Sequence, residues 1–141
     1  MSRLKRLLIV LVLLGAGNLL WQLLGELSFY TERLNGRIAY VYDGDTIRIG
    51  KTRIRLWGVD APELETKAGR KARDWAVKAW EGKQARCRKM GTTRGRVAAR
   101  CTIGSSDMGR QIIRAGHACE WRRYSRGYYS QRMTCERLGR R

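Results

Sequence analysis

Two acidic clusters hold the side chains best suited to chemistry: Asp43-Gly44-Asp45-Thr46, and Gly58-Val59-Asp60-Ala61-Pro62-Glu63, which contains the only proline of the chain. Taken singly, each also reads as a turn. Asp-Gly is a common hairpin connection, and Pro62-Glu63 suits the entry to a helix, where Pro fixes φ and an acid meets the helix N-terminus. Together they suggest more, because each sits at a strand end and the hairpin between them can return both ends to one edge of a sheet. That would gather Asp45, Asp60 and Glu63 into an oxygen-only site suited to a hard cation, Ca²⁺ or alternatively Mg²⁺. The chain has one histidine, His117, far from the acids, so a site built on two or more histidines is excluded. His117 reads as a structural or surface residue.

The elements that must position these groups follow from hydrophobic period. Ile38–Tyr42, Thr46–Ile49 and Thr52–Trp57 alternate with period two, and Asp43-Gly44-Asp45 and Gly50-Lys51 mark the turns of a three-stranded meander. From Thr66 to Trp80 the period becomes helical, with Ala68, Ala72, Trp75, Ala76 and Ala79 on one face and Trp75 expected in the core. Gln84–Lys89 and Arg96–Thr102 form a second hairpin. Asp107 or Ser106 caps a short helix ending near Gly116, and a last helix is expected from about Ser130 to Leu138. Five strands with a helix between the third and fourth define an α+β protein, a five-stranded OB-fold β-barrel with about three helices.

The 141 residues suffice for one such domain, expected over residues 37–141 after a linker at 28–36. Lys and Arg number 30 against 12 Asp and Glu, a net charge of +18, and 23 of the basic residues are Arg. Self-repulsion on that scale calls for an anionic partner. Residues 1–36 carry only +2 of it, so +16 falls on the domain. The 43% hydrophobic content excludes a solvated basic tail.

Residues 1–27 read as an N-terminal hydrophobic anchor helix or a signal peptide. Arg3, Lys5 and Arg6 precede a run from Leu7 to Leu24 that would span roughly 27 Å as a helix. The basic start places the N-terminus in the cytoplasm and the domain outside it, anchored in the inner membrane or, if the segment is cleaved, secreted. The four cysteines all follow this segment, and an even count in an exported domain suggests two disulfides. Of three connectivities, Cys87–Cys101 with Cys119–Cys135 is expected, because Cys87 and Cys101 flank the Thr93-Arg94-Gly95 turn almost symmetrically. No C-x-x-C pair supports zinc.

In order and spacing, "DGDT", "IRLWGVDAPE", "RGRVAARC" and "GHACEWRRYSRGYY" resemble the thermonuclease (staphylococcal-nuclease-like) family over about residues 37–138. The resemblance implies a Ca²⁺-dependent phosphodiesterase acting on DNA and/or RNA. It implies Asp45, Asp60 and the Ala61 backbone carbonyl as metal ligands, with Asp43 behind them. Glu63 would activate or orient the attacking water, and Arg55 and Arg96 would hold the phosphate. Tyr124, with Trp121 and Tyr128, falls in the segment lining the nucleotide pocket, although Tyr124, Tyr128 and Tyr129 could equally pack the C-terminal segment on the barrel. No protein partner is evident and a monomer is expected. The chain departs from the family at Thr92-Thr93-Arg94, where many members carry Asp-x-Tyr before Gly-Arg. That departure leaves open a nucleic-acid-binding OB module with weak or no catalysis.

Overall fold

Side chains alternate outward and inward from Arg33 to Ile38 in the first strand of a curved sheet that closes on itself. The computed structural model describes residues 17, 18, 20, 22, 33–129 and 133–136. The chain divides into two units, Met1–Glu32 and Arg33–Arg141. Residues 17, 18, 20 and 22 are helical, and the rest of the anchor expected over 1–27 lies outside the described residues. Among the described residues no helix is long and apolar enough to cross a membrane.

In the second unit the strands are β1 (Arg33–Val41), β2 (Thr46–Ile49), β3 (Thr52–Leu56), β4 (Val59–Asp60), β5 (Gln84–Thr93), β6 (Arg96–Ile103), β7 (Ser106–Asp107) and β8 (Cys119–Glu120). The helices are α1 (Lys67–Trp80), α2 (Met108–Arg114) and α3 (Arg122–Ser125). β1 pairs antiparallel with β2 through its second half and with β5 through its first, and a register shift between Ile38 and Tyr40 bends it between the two. β2–β3 and β5–β6 are antiparallel hairpins, and parallel pairing of β3 with β6 (Ile54↔Val97, Leu56↔Ala99) closes the barrel. The result is a closed five-stranded barrel with three helices, an α+β architecture consistent with an OB-like fold. β4 and β8 form a separate two-stranded ladder, Val59 opposite Glu120 and Asp60 opposite Cys119.

The barrel is filled by Ile38, Val41, Ile47, Ile54, Leu56 and Ala99, with Met108 and Ile112 of α2 and Trp80 of α1 closing it. Thr66 caps α1 by accepting from the Gly69 amide, and Asp107 caps α2 by accepting from Arg110. Both disulfides form with the expected pairing, Cys87–Cys101 and Cys119–Cys135. Two disulfides point to an oxidising, extracytoplasmic setting for the domain.

Three expectations are corrected. Residues 33–36 are strand rather than linker, because β5 supplies a ladder for them (Arg33↔Arg88 to Gly36↔Ala85). The buried face of α1 is Gly69, Ala72, Ala76 and Trp80; Ala68 is exposed and Trp75 is only half-buried, its ring edge-on to Trp80 at 5.4 Å. The expected helix from 130 to 138 is not continuous: Thr134 bridges to Glu120 in parallel, and the Cys135 amide donates to the Glu120 carbonyl at 3.0 Å. The disulfide to Cys119 holds that segment against β8. Residues 130–132, 137 and 138 lie outside the described residues.

Candidate active-site cleft

Asp45 ends the turn before β2, and its chain direction is set by Asp43, whose Oδ1 accepts from the Asp45 amide at 2.9 Å. The Asp45 side chain is 2% exposed. Its Oδ1 accepts from Thr46 Oγ1 and from Arg55 Nη1, each at 2.9 Å, and its Oδ2 accepts from the Ala61 amide at 2.9 Å. Arg55 stands on β3 opposite Thr46, so the β2–β3 register delivers its guanidinium to Asp45. Its Nη2 reaches Asp60 Oδ1 at 3.2 Å and the Val59 carbonyl at 3.4 Å. One guanidinium thus joins the two acidic clusters. Burial pushes the Asp45 carboxyl up to about 7, against the opposing pull of Arg55; Asp43 nearby adds to the rise.

Above this floor lies a cleft of about 790 Å³. Arg55, Asp60, Glu63 and Arg96 line it from the barrel side, and Trp121 and Tyr124 line it from the C-terminal segment. Glu63 is exposed, and its carboxylate and the Arg96 guanidinium make no hydrogen bond or ion pair with a described residue. The Glu63 backbone is held by Thr66, whose amide and hydroxyl both donate to the Glu63 carbonyl. Gly69 lies directly beneath, where an added Cβ would collide with that carbonyl. Trp121 and Tyr124 meet edge to face at 4.8 Å, and the Trp121 amide donates to the Gly58 carbonyl at 2.9 Å.

The hairpin turn at Arg94-Gly95, with both residues at positive φ (46° and 73°), brings Thr92, Thr93 and Arg94 to the cleft rim. The segment that departs from the thermonuclease-like pattern the sequence resembles therefore borders the cleft.

Of the residues anticipated from sequence, Arg55, Asp60, Glu63, Arg96, Trp121 and Tyr124 come together in the cleft. Asp45 lies beneath it, with Asp43 and the Ala61 backbone beside it. Tyr128 is not among the lining residues. Its ring is covered by Arg100 at 4.3 Å and Arg110 at 5.7 Å, so two arginines occupy the ground expected for a base. His117 packs by Trp75 at 5.6 Å, away from the cleft.

Asp45 and Asp60 offer carboxylate oxygens, the donor type a hard cation takes, and one oxygen of each is held by the Arg55 guanidinium. Asp60, Cys119 and Cys135 also cluster, but the two sulfurs are joined in a disulfide and offer no thiolate.

Glu120, which sequence reasoning missed, and Tyr129 act behind these groups. Glu120, fully buried, accepts from Ser125 Oγ at 2.6 Å and from the Tyr129 amide at 3.0 Å, fixing the turn after Tyr124. Its signal was present: it is the only acid between Met108 and Cys135. Tyr129, whose phenol burial pushes upward, donates to the Trp57 carbonyl at 2.6 Å. No protein-family model matches the chain, and no curated protein matches it.

Proposed function

We propose that the protein is a metal-dependent nuclease that hydrolyses phosphodiester bonds of DNA and/or RNA, exported and held at the inner membrane by its N-terminal segment. The observation that carries this reading is the presence, in one cleft, of a carboxylate (Glu63) and a guanidinium (Arg96) that no described residue engages, above two acids whose oxygens suit a cation. Phosphodiester hydrolysis needs those parts: a base for water and positive groups for the charge that builds on the phosphoryl oxygens. Glu63 accepts the proton of the attacking water. Arg96 donates paired hydrogen bonds to the phosphate, which Lys cannot do with the same geometry. Arg55 keeps Asp45 and Asp60 together and adds positive charge at the cleft floor. Asp45 and Asp60, with the Ala61 carbonyl, would hold Ca²⁺ or Mg²⁺, which supplies charge neutralisation at a phosphoryl oxygen when bound. Trp121 and Tyr124 offer faces to an unstacked base.

Incubation of the chain with single-stranded DNA, duplex DNA and RNA, in Ca²⁺, Mg²⁺ or chelator, tests the proposal. Metal-dependent cleavage is expected, with Glu63→Gln and Arg96→Ala each lowering kcat by orders of magnitude at unchanged fold. Salt-sensitive binding without cleavage in any metal would instead identify a binding module.

A further inference from the structure

A second arginine array lies outside the cleft. The registers of β1, β5 and β6 set Arg33 opposite Arg88 and Arg88 opposite Arg100. Adjacent strands are about 4.8 Å apart, so three guanidinium-bearing side chains stand in one row on one face. Like charges directly opposite in a ladder are destabilising. Arg33 and Arg88 are exposed, and Arg100 is half-buried. None of the three makes an ion pair with a described residue, so no described acid relieves the repulsion.

The row runs into the cleft. The Arg100 guanidinium lies 4.3 Å over the Tyr128 ring and 6.0 Å over Trp57, and Trp57 lines the cleft. Stacking orients a guanidinium plane while leaving its N–H edges for a partner. Arg96, Ala98 and Arg100 share one face of β6. The first two line the cleft, and the third stands about 13 Å beyond Arg96 at the rise of a strand. A cationic path therefore continues from Arg96 past Trp57 and Tyr128 onto the barrel's outer face.

We propose that Arg33, Arg88 and Arg100 form a track for the phosphate backbone of a nucleic-acid strand running out of the cleft. The track rests on the nucleic-acid reading above and extends it from a cleft to a path. Continuity with the cleft rim favours a polynucleotide over an anionic lipid surface.

Binding is measured on the full chain in chelator, so that no cleavage enters. The probes are long single-stranded oligodeoxythymidine, an oligomer short enough to fill only the cleft, and phosphatidylglycerol vesicles. For the long strand, Arg33→Gln, Arg88→Gln and Arg100→Gln combined should reduce the slope of log K against log salt by about 2, each single change contributing about 0.7. The short oligomer should bind as in wild type. Arg88→Gln should melt at or above the wild-type temperature, because it removes like-charge repulsion.

An unchanged slope, equal losses on long and short strands, a lowered melting temperature for Arg88→Gln, or a loss confined to vesicles would each overturn the track. A wild-type chain that binds with the expected slope but never cleaves defeats the nuclease reading and leaves the track intact. A chain that cleaves while the triple variant keeps its slope defeats the track alone.

Discussion

The two sides of the cleft are built on different principles. The barrel side places its groups on registered strands and on the turns joining them: Arg55 on β3, Arg96 on β6, Asp45 entering β2. Their positions follow from backbone ladders that the core would fix even if the side chains changed. The C-terminal side has little regular structure. Trp121 and Tyr124 are held by a two-residue ladder, one buried carboxylate and one disulfide. The proposed function puts chemistry on the rigid side and substrate contact on the tethered side, a division that mutation and pH can expose.

The largest expected effect belongs to the rigid side and comes from Asp45. Its carboxyl rises from 3.8 to about 7 on folding, chiefly through burial. The folded chain therefore keeps a proton that the unfolded chain loses between these values. In chelator, the stabilisation is complete below about pH 4 and is lost as pH rises through 7, by up to about 4 kcal/mol. Urea midpoints across that window, wild type against Asp45→Asn, measure it. Asp45→Asn should flatten the difference, and Ca²⁺ added at pH 7 should restore wild-type stability, since cation binding requires the ionised form. Parallel pH profiles for the two proteins would show that the floor is no more constrained than the wall.

The disulfides separate the two sides more directly. Each closes a loop of about 15 residues, so by chain entropy each contributes about 3 kcal/mol. Cys87–Cys101 joins strands already paired on either side, Arg86↔Thr102 and Arg88↔Arg100. Cys119–Cys135 joins β8 to a segment otherwise tied by an isolated bridge and two backbone hydrogen bonds at Glu120. Replacing either pair with serine should lower stability similarly. Only Cys119→Ser/Cys135→Ser should also raise KM, by about tenfold, because only that pair supports the aromatic wall. Equal KM values in the two variants would break the distinction.

The same contrast governs what the sequence revealed. The meander was legible because Ile47, Ile49 and Ile54 alternate with Arg48, Arg53 and Arg55, and the Asp-Gly turn chemistry marks its corners. Thr66 as a helix start and Cys87 facing Cys101 were legible for similarly local reasons. The start of β1 was not, since Arg33-Leu34-Asn35-Gly36 has no apolar alternation and becomes strand only through β5. Nor was the choice of Trp80 over Trp75 for the core: helical period allows both, and the facing Gln111, which accepts from the Trp80 indole at 2.9 Å, comes from a distant helix. The segment around Thr134 reads as helix by composition, yet Thr134 bridges to Glu120 and the chain turns at Cys135. Where position depends on a distant partner, local pattern carries no signal.

The smallest expected effect tests whether the tethered side contributes binding alone. Tyr124 is 49% exposed and touches Trp121, whereas Tyr129, five residues on, is buried and bonded to Trp57. Tyr124→Ala should leave the melting temperature unchanged, because little buried surface is lost. It should weaken single-strand binding by about 1–3 kcal/mol, the value of one stacked base. The loss should appear in KM with kcat unchanged, and Tyr124→Phe should restore it, since the ring face rather than the hydroxyl makes the contact. A fall in kcat at constant KM would place Tyr124 with Glu63 and Arg96 instead, and the cleft would then have chemistry on both walls.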